Sequence, residues 1–311
     1  MIKIPIHFAP LQGYTEAPYR NFHASSFGGV DAYYTPFVRI EKGEFRRKEL
    51  REIDPQNNTV PRLIPQLISS IPDEMKRITD LFIEQGYREI DINMGCPFPL
   101  IANRHKGSGI LPYPDDVKTL LEIIYQYPDI RFSIKMRLGW ESKEEGMRLL
   151  PFLNELPLSH ITLHPRIGRQ QYKGTVDMDG FTAFYEYCKH PIIYNGDIET
   201  VEDLQRITSF YPNLSGIMMG RGLLANPALA LEFKEGRVIS SEEKRKRIQE
   251  LHEGVFSYYK KQIEGGDAQL LNKMKTFWEY LCPEVDKKLK KAIQKSSRLS
   301  AYEQVVDKIM N

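Results

Sequence analysis

The chain has 311 residues, 41% hydrophobic and 27% charged, so it carries enough apolar material for a sizeable core and is not a disordered polyelectrolyte. Its 43 Lys and Arg against 41 Asp and Glu leave a net charge of +2, which alone implies no anionic partner. No apolar run of about 18 residues reads as a bilayer span. Cys96, Cys188 and Cys282 form neither a disulfide framework nor a Cys-x-x-Cys pair, and no two histidines have zinc spacing. The opening residues, interrupted by Pro5, do not form a signal peptide. The expectation is a cytoplasmic monomer that needs neither metal nor membrane.

In chain order, apolar β-branched runs at 4–9, 32–37, 63–68, 89–94, 132–136, 161–164, 192–195 and 216–219 predict eight strands. Amphipathic patterns at 73–85, 114–125, 143–153 and 201–210 predict helices between them. Eight strands alternating with helices predict a (β/α)8 TIM barrel. An open doubly wound sheet is the alternative, but Ala9-Pro10-Leu11-Gln12-Gly13 after the first strand is no dinucleotide fingerprint. Beyond residue 233 the alternation stops. A helix opens at Ser241 and breaks at Gly265-Gly266, a second runs from about Asp267 to Leu281 and stops at Pro283, and a third follows from Asp286. The expected division is a barrel domain, 1–235, followed by a small C-terminal helical domain, 236–311. The second part holds 16 basic and 11 acidic residues, leaving the first mildly acidic. A basic tail behind an acidic body suits an anionic partner, although a solvated helical surface looks the same.

Active sites of such barrels form at the carboxyl ends of the strands. Those ends carry Gln12, Arg39, Gln66, Asn93 with Cys96, Lys135 with Arg137, His164 with Arg166, Asn195-Gly196-Asp197 and Gly220-Arg221-Gly222. The last two glycine turns follow the seventh and eighth strands, where barrels commonly bind phosphate. Glycine lets backbone N–H groups approach the anion and arginine can pair with it bidentately. Two turns that merely close strands are the alternative. Cys96 sits in a Gly95-Cys96-Pro97 turn, open to three roles. A protonated thiol can act as a general acid, a thiol beside a cation as a nucleophile, and a buried one as filler.

With these residues placed, the chain resembles the tRNA-dihydrouridine synthase family over nearly its whole length. The resemblance rests on Ala9-Pro10-Leu11-Gln12-Gly13, Pro65-Gln66-Leu67, Asn93-Met94-Gly95-Cys96-Pro97, Lys135-Met136-Arg137, His164, Tyr172, Asn195-Gly196-Asp197 and Met219-Gly220-Arg221-Gly222. It implies an FMN-dependent oxidoreductase, reduced by NADPH or NADH, that converts a D-loop uridine of tRNA to 5,6-dihydrouridine. By position, Pro10, Leu11, Gln12, Gln66 and Lys135 would hold the flavin ring system or ribityl chain. His164, Asn195, Gly196, Asp197, Gly220 and Arg221 would hold its ribityl–phosphate end. Cys96 would be the proton donor, and Asn93 would contact the uracil. Pro165 and Ile167 depart from the family pattern around His164.

Phe37-Val38-Arg39, Arg137-Leu138-Gly139-Trp140, Lys273-Met274-Lys275 and Tyr280-Leu281 resemble the C-type branch, which acts at tRNA position 16. Arg39, Arg137, Tyr172, Lys273, Lys275 and Tyr280 would then be tRNA contacts. Lys287, Lys291, Lys295 and Arg298 recur at helical spacing and predict a basic stripe for a phosphate backbone. Two rivals remain at this stage. One is a flavin barrel reducing a free pyrimidine, as in dihydroorotate dehydrogenases. The other is an RNA-binding protein without chemistry.

Overall fold

A computed structural model describes residues 4–282 and 285–310, so the predicted stop at Pro283 lies outside the described residues. The strands are β1 (Ile6–Phe8), β2 (Ala32–Tyr34), β3 (Ile40–Glu41), β4 (Glu44–Phe45), β5 (Leu63–Ile64), β6 (Gln66–Leu67), β7 (Glu89–Met94), β8 (Arg131–Gly139), β9 (Leu158–Ile167), β10 (Ile192–Tyr194) and β11 (Gly216–Met219). All but the β3–β4 hairpin join one parallel sheet in the order β5-β2-β1-β11-β10-β9-β8-β7-β6. β5 and β6 are halves of one predicted strand, interrupted at Pro65, which has no N–H for a ladder. β5 pairs with β2 and β6 with β7, while Val38 bridges Leu67, so the ring closes across the break. Eight strand regions therefore build the barrel.

Helices α1 (Ala17–Ser26), α2 (Arg47–Ile53), α3 (Pro72–Glu84), α4 (Pro99–Ala102), α5 (Pro114–Leu121), α6 (Glu144–Leu153), α7 (Met178–Tyr187), α8 (Val201–Phe210), α9 (Arg221–Ala225) and α10 (Leu229–Glu235) accompany the strands. Proline in the first turn starts α1, α3 and α5, where its missing N–H costs nothing. A Thr200–Asp203 capping box starts α8.

Alternation along the strands sorts the side chains. Ile90, Ile92 and Met94, with Ile134, Met136, Ile161 and Leu163, join the large core between sheet and helices. The intervening residues point inward and are polar. The register sets Asp91 beside Ser133, Asn93 beside Lys135, Lys135 beside Thr162, and Arg137 beside His164. This polar ladder climbs from the barrel's centre to its mouth, and it is what the site is built on.

Beyond Gly236, which ends α10 in the left-handed conformation that favours glycine, come α11 (Ser241–Gln262), α12 (Gly266–Tyr280), α13 (Lys287–Lys295) and α14 (Leu299–Met310). They rest on α1. A Cβ at Gly254 of α11 would lie 2.3 Å from the Phe22 ring, so only glycine allows this approach. Arg247 donates to the Ser26 carbonyl at 2.6 Å and Tyr259 to Glu16 at 2.6 Å. One hydrophobic cluster runs from Phe8 and Tyr19 into Phe277, Trp278 and Tyr302, so barrel and tail share a core.

The third predicted tail helix is two helices. Ser296 adopts ψ 125° and its hydroxyl turns back to the Ala292 carbonyl, ending α13 at Lys295. Arg298 therefore falls in the break, outside the stripe that Lys287, Lys291 and Lys295 form opposite buried Ile293. Among the described residues no helix is long and apolar enough to cross a membrane, and no cluster of His, Cys, Asp and Glu could hold a metal.

Candidate active site

The loops after the strands surround a cavity of about 780 Å³ at the barrel mouth. Its wall includes Gln12, Arg39, Asn93, Cys96, Lys135, Arg137, His164, Asn195, Gly196, Asp197, Gly220 and Arg221, which the sequence had placed at strand ends, and Pro10, Leu11 and Tyr172, which the resemblance had added. A cavity of this size accommodates a cofactor-sized ligand with a small substrate group. Among the described residues Arg39, Arg46, Lys48, Lys135, Arg137 and Arg221 line it beside Asp197 and Glu199, so its charge leans positive although Arg39 and Arg46 are paired with Glu41 and Glu49.

Lys135 and Cys96 share one wall of the cavity. Burial, reinforced by the Arg137 guanidinium, lowers the Lys135 ammonium to about 8. Its ammonium makes no hydrogen bond to any described residue, and the Asp91 charge offsets its burial only in part. The Cys96 turn is tied on both sides. Asn93 Oδ1 accepts from the Gly95 and Cys96 N–H groups at 3.0 and 2.9 Å, and Ser108 donates to the Cys96 carbonyl at 2.9 Å. Gly107, at φ +63°, lies against this turn, where a Cβ would sit 2.7 Å from the Cys96 carbonyl oxygen. Burial pushes the Cys96 thiol up despite Arg137, Lys135 and Arg39 nearby, so it is protonated at neutral pH. Of its three roles, nucleophilic thiolate is thereby disfavoured and proton donor favoured.

At the opposite end the β10 and β11 loops touch. A Cβ at Gly222 would lie 1.9 Å from the Ile198 carbonyl oxygen, so glycine is required for the two to form one rim. Asp197 joins this rim to buried Arg166, which donates to its carboxylate, and to Arg221, which donates at 3.0 Å. Arg221 also lies over the Tyr172 ring, 4.6 Å from its centre. His164 is held neutral, far below the usual imidazole range, by burial and four surrounding cations. The departure at Pro165 and Ile167 thus accompanies an Arg166 turned away from the cavity into the Asp197 pair and the Gly174 carbonyl.

Several expected site residues stand elsewhere. Gln66 does not reach the cavity wall: it is fully buried in β6, with its amide between Asp91 and Asn93. Lys273 is paired with Glu16 at 2.5 Å and Tyr280 meets the Tyr14 ring edge-on, both on α12 outside the cavity. Lys275 is half-buried where its carbonyl accepts from Gln294, and Lys295 and Arg298 lie farther along the tail.

Arg46, Lys48 and Tyr14 line the cavity but were not anticipated. The first two follow the β3–β4 hairpin, whose Lys42-Gly43 turn has φ 54° and 83°. A glycine between short polar strands was its only sequence signal.

Comparison with known proteins agrees with this geometry. The family model described as Dihydrouridine synthase (Dus) matches residues 7–311. The tRNA-dihydrouridine synthase B of Pasteurella multocida (strain Pm70) is 29% identical over 229 residues, 73% of this chain and 68% of that protein. That of Escherichia coli (strain K12) is 27% identical over 230 residues, 73% of this chain and 70% of that protein. These relatives carry the B name, so the C-type likeness read from short stretches gives way. Among solved structures, morphinone reductase superposes with a TM-score of 0.52 at 11% identity, covering 77% of this chain and 88% of that one. A 2-naphthoyl-CoA reductase does so with 0.55 at 9%, covering 75% and 50%. At such identities they speak for the barrel alone. With a match across nearly all of its length, the chain belongs to the dihydrouridine synthase family.

Proposed function

We propose that this protein reduces a uridine of tRNA to 5,6-dihydrouridine, using FMN bound in the barrel mouth and NADPH or NADH as the reductant. The observation that carries the reading is that Cys96 and Lys135, whose ammonium makes no hydrogen bond to a described residue, line one cavity at the barrel mouth. The residues fit FMN: a buried cation seeks an electron-rich ring, and a wall rich in arginine and lysine suits a phosphate. Lys135 with Pro10, Leu11 and Gln12 would hold the ring system, and Asn195, Gly196, Gly220 and Arg221 the ribityl–phosphate end. When bound there in its reduced form, FMN would supply the hydride that C6 of the uracil accepts.

Cys96 delivers the proton to C5. Its thiol is kept protonated by burial until it is needed. The thiolate left behind is stabilised by Arg137, Lys135 and Arg39, whose charges all lower the thiol pKa. Asn93 holds the turn in place, and general acid help of this kind contributes about 10²–10⁴-fold. The uracil must leave its stack to enter the mouth, so tRNA binding has to offset an unstacking cost of a few kcal/mol. We assign catalysis to residues 1–235 and the tRNA grip to 236–311 of a cytoplasmic monomer, with Lys273, Lys275, Tyr280, Lys287, Lys291 and Lys295 on the gripping side. The B name of the relatives removes the ground for tRNA position 16.

The test incubates FMN-loaded protein and NADPH with tRNA lacking dihydrouridine and maps the product by mass spectrometry, with Cys96→Ala alongside. Dihydrouridine at a defined D-loop site, slowed about 10²–10⁴-fold in the mutant with flavin retained, is expected. Reduction of free uracil or orotate in preference to tRNA would overturn the reading.

A further inference from the structure

Asp91 is an acid fully buried on β7, inside the barrel wall below the cavity, and besides its hydrogen bonds its charge acts on Lys135 of the neighbouring strand. Its Oδ2 accepts from Gln66 Nε2 at 2.6 Å and its Oδ1 from the Ser133 hydroxyl at 2.6 Å. Gln66 has thereby spent its NH2 on Asp91 and presents its carbonyl oxygen to Asn93 Nδ2, at 2.7 Å. Asn93 in turn has spent its NH2 and presents its oxygen to the Gly95 and Cys96 N–H groups. Each primary amide has a donor end and an acceptor end, so two in series transmit a direction. An acceptor at one end of the chain dictates an acceptor at the other.

Resting on the function proposed above, we infer that Asp91 is a positioning residue for Cys96: through Gln66 and Asn93 it fixes the turn that aims the thiol into the cavity. If Gln66 were reversed, its NH2 would meet the NH2 of Asn93. Asn93 would have to reverse as well, and its NH2 would then meet the two backbone N–H groups that hold the turn. Among the buried side chains of the relay only Asp91 is acceptor-only when ionised, so it and the donor-only Gly95 and Cys96 N–H groups fix the direction from opposite ends. Gln66, Asp91 and Ser133 are buried, so bulk water does not reach the links between them.

The test uses FMN-loaded enzyme carrying Asp91→Leu, Asp91→Asn, Gln66→Met or Asp91→Leu with Gln66→Met. Two readouts are taken: dihydrouridine formation at varied tRNA, and the pH profile of Cys96 alkylation by iodoacetamide, followed by mass spectrometry with Cys188 as internal reference. Asp91→Leu and Gln66→Met are expected to lower kcat by about 10–100-fold with KM changed less than about twofold, and to shift the Cys96 alkylation profile. The double variant should be no worse than the poorer single one, because both cut the same chain. Asp91→Asn keeps an acceptor for Gln66 and lets Ser133 accept from its NH2, so it should stay within about threefold of wild type. Additive losses in the double variant, or an unchanged alkylation profile in folded Gln66→Met, would overturn the inference. Should Asp91→Leu fail to fold, Gln66→Met decides alone. The alkylation arm needs no tRNA, so it separates failure of the relay from failure of the proposed reaction.

Discussion

Arg137 donates through Nε to the Gly95 carbonyl at 3.0 Å, so strand β8 grips the residue immediately before Cys96. The same guanidinium donates to Ile167 at 3.0 Å and Gln171 at 2.7 Å, joining the cysteine turn to the loop that carries Tyr172. Asn93 and Arg137 therefore hold the turn from two strands, one through its N–H groups and one through a carbonyl.

Arg137→Lys keeps the charge but cannot reach three carbonyls from one planar fork. It should lower kcat for tRNA reduction by about 10–100-fold, because a misplacement near 1 Å carries that cost. Melting temperature should fall as well, since a part-buried carbonyl left without its charged donor costs up to about 1–3 kcal/mol. Steady-state kinetics beside thermal unfolding of the FMN-loaded protein measure both, and wild-type kcat in the lysine variant would detach Arg137 from the site.

The barrel was legible because period-2 alternation and parallel pairing leave plain traces: all eight strand regions stand where the β-branched runs lie. Cys96, Lys135 and the two glycine turns were legible for a related reason, since strand ends in such a fold converge on one mouth. What escaped was set by contacts without a local pattern. Gln66 looks like a site residue at a strand end, yet the split of that strand at Pro65 turns it under Asn93. Arg298 continues the spacing of Lys287, Lys291 and Lys295, but periodicity cannot see that Ser296 folds back on Ala292 and ends the helix. Asp91 was hidden for the opposite reason. An acid within Ile90-Asp91-Ile92 reads as ordinary alternation until Gln66 and Ser133 are seen to converge on it.

Gly222→Ala tests the joined rim. The added Cβ would lie 1.9 Å from the Ile198 carbonyl oxygen, a backbone atom that no side-chain rotation can move. Separating the two loops should cost about 1–3 kcal/mol of stability and spread the phosphate end of the cavity. Flavin released on dialysis, measured against wild type by absorbance, should rise severalfold while the refolded apoprotein retains its circular dichroism.

Lys135 makes a pH prediction with a defined sign. Its pKa falls from about 10.5 to about 8 on folding, with burial the first cause and Arg137 the second. Between those values the unfolded chain binds the additional proton, so the group's contribution to stability rises with pH. In FMN-free protein the denaturant midpoint of wild type should therefore climb relative to Lys135→Met from pH 8 to 10, by about 2 kcal/mol in free energy. FMN bound against the ammonium, as proposed, would give it an electron-rich neighbour and should flatten the climb. A flat difference in FMN-free protein would mean that the ammonium is not desolvated.

The tail lysines can be separated from ordinary surface charge by salt. Lys287, Lys291 and Lys295 are exposed, four residues apart on α13, and the buried Ile293 fixes which face turns away from the body. Contacts to phosphate release counterions, and each adds about 0.7–0.9 to the slope of log affinity against log salt. Replacing the three by Gln should weaken tRNA binding and reduce that slope by about 2–3, with flavin content and NADPH oxidation unchanged. Arg298→Gln, beyond the end of the helix, should change the slope by less than one of the three lysines does. A triple variant with wild-type affinity and slope would place the tRNA backbone elsewhere, and the next surface to test would be the mouth itself, where Arg46 and Lys48 face the cavity.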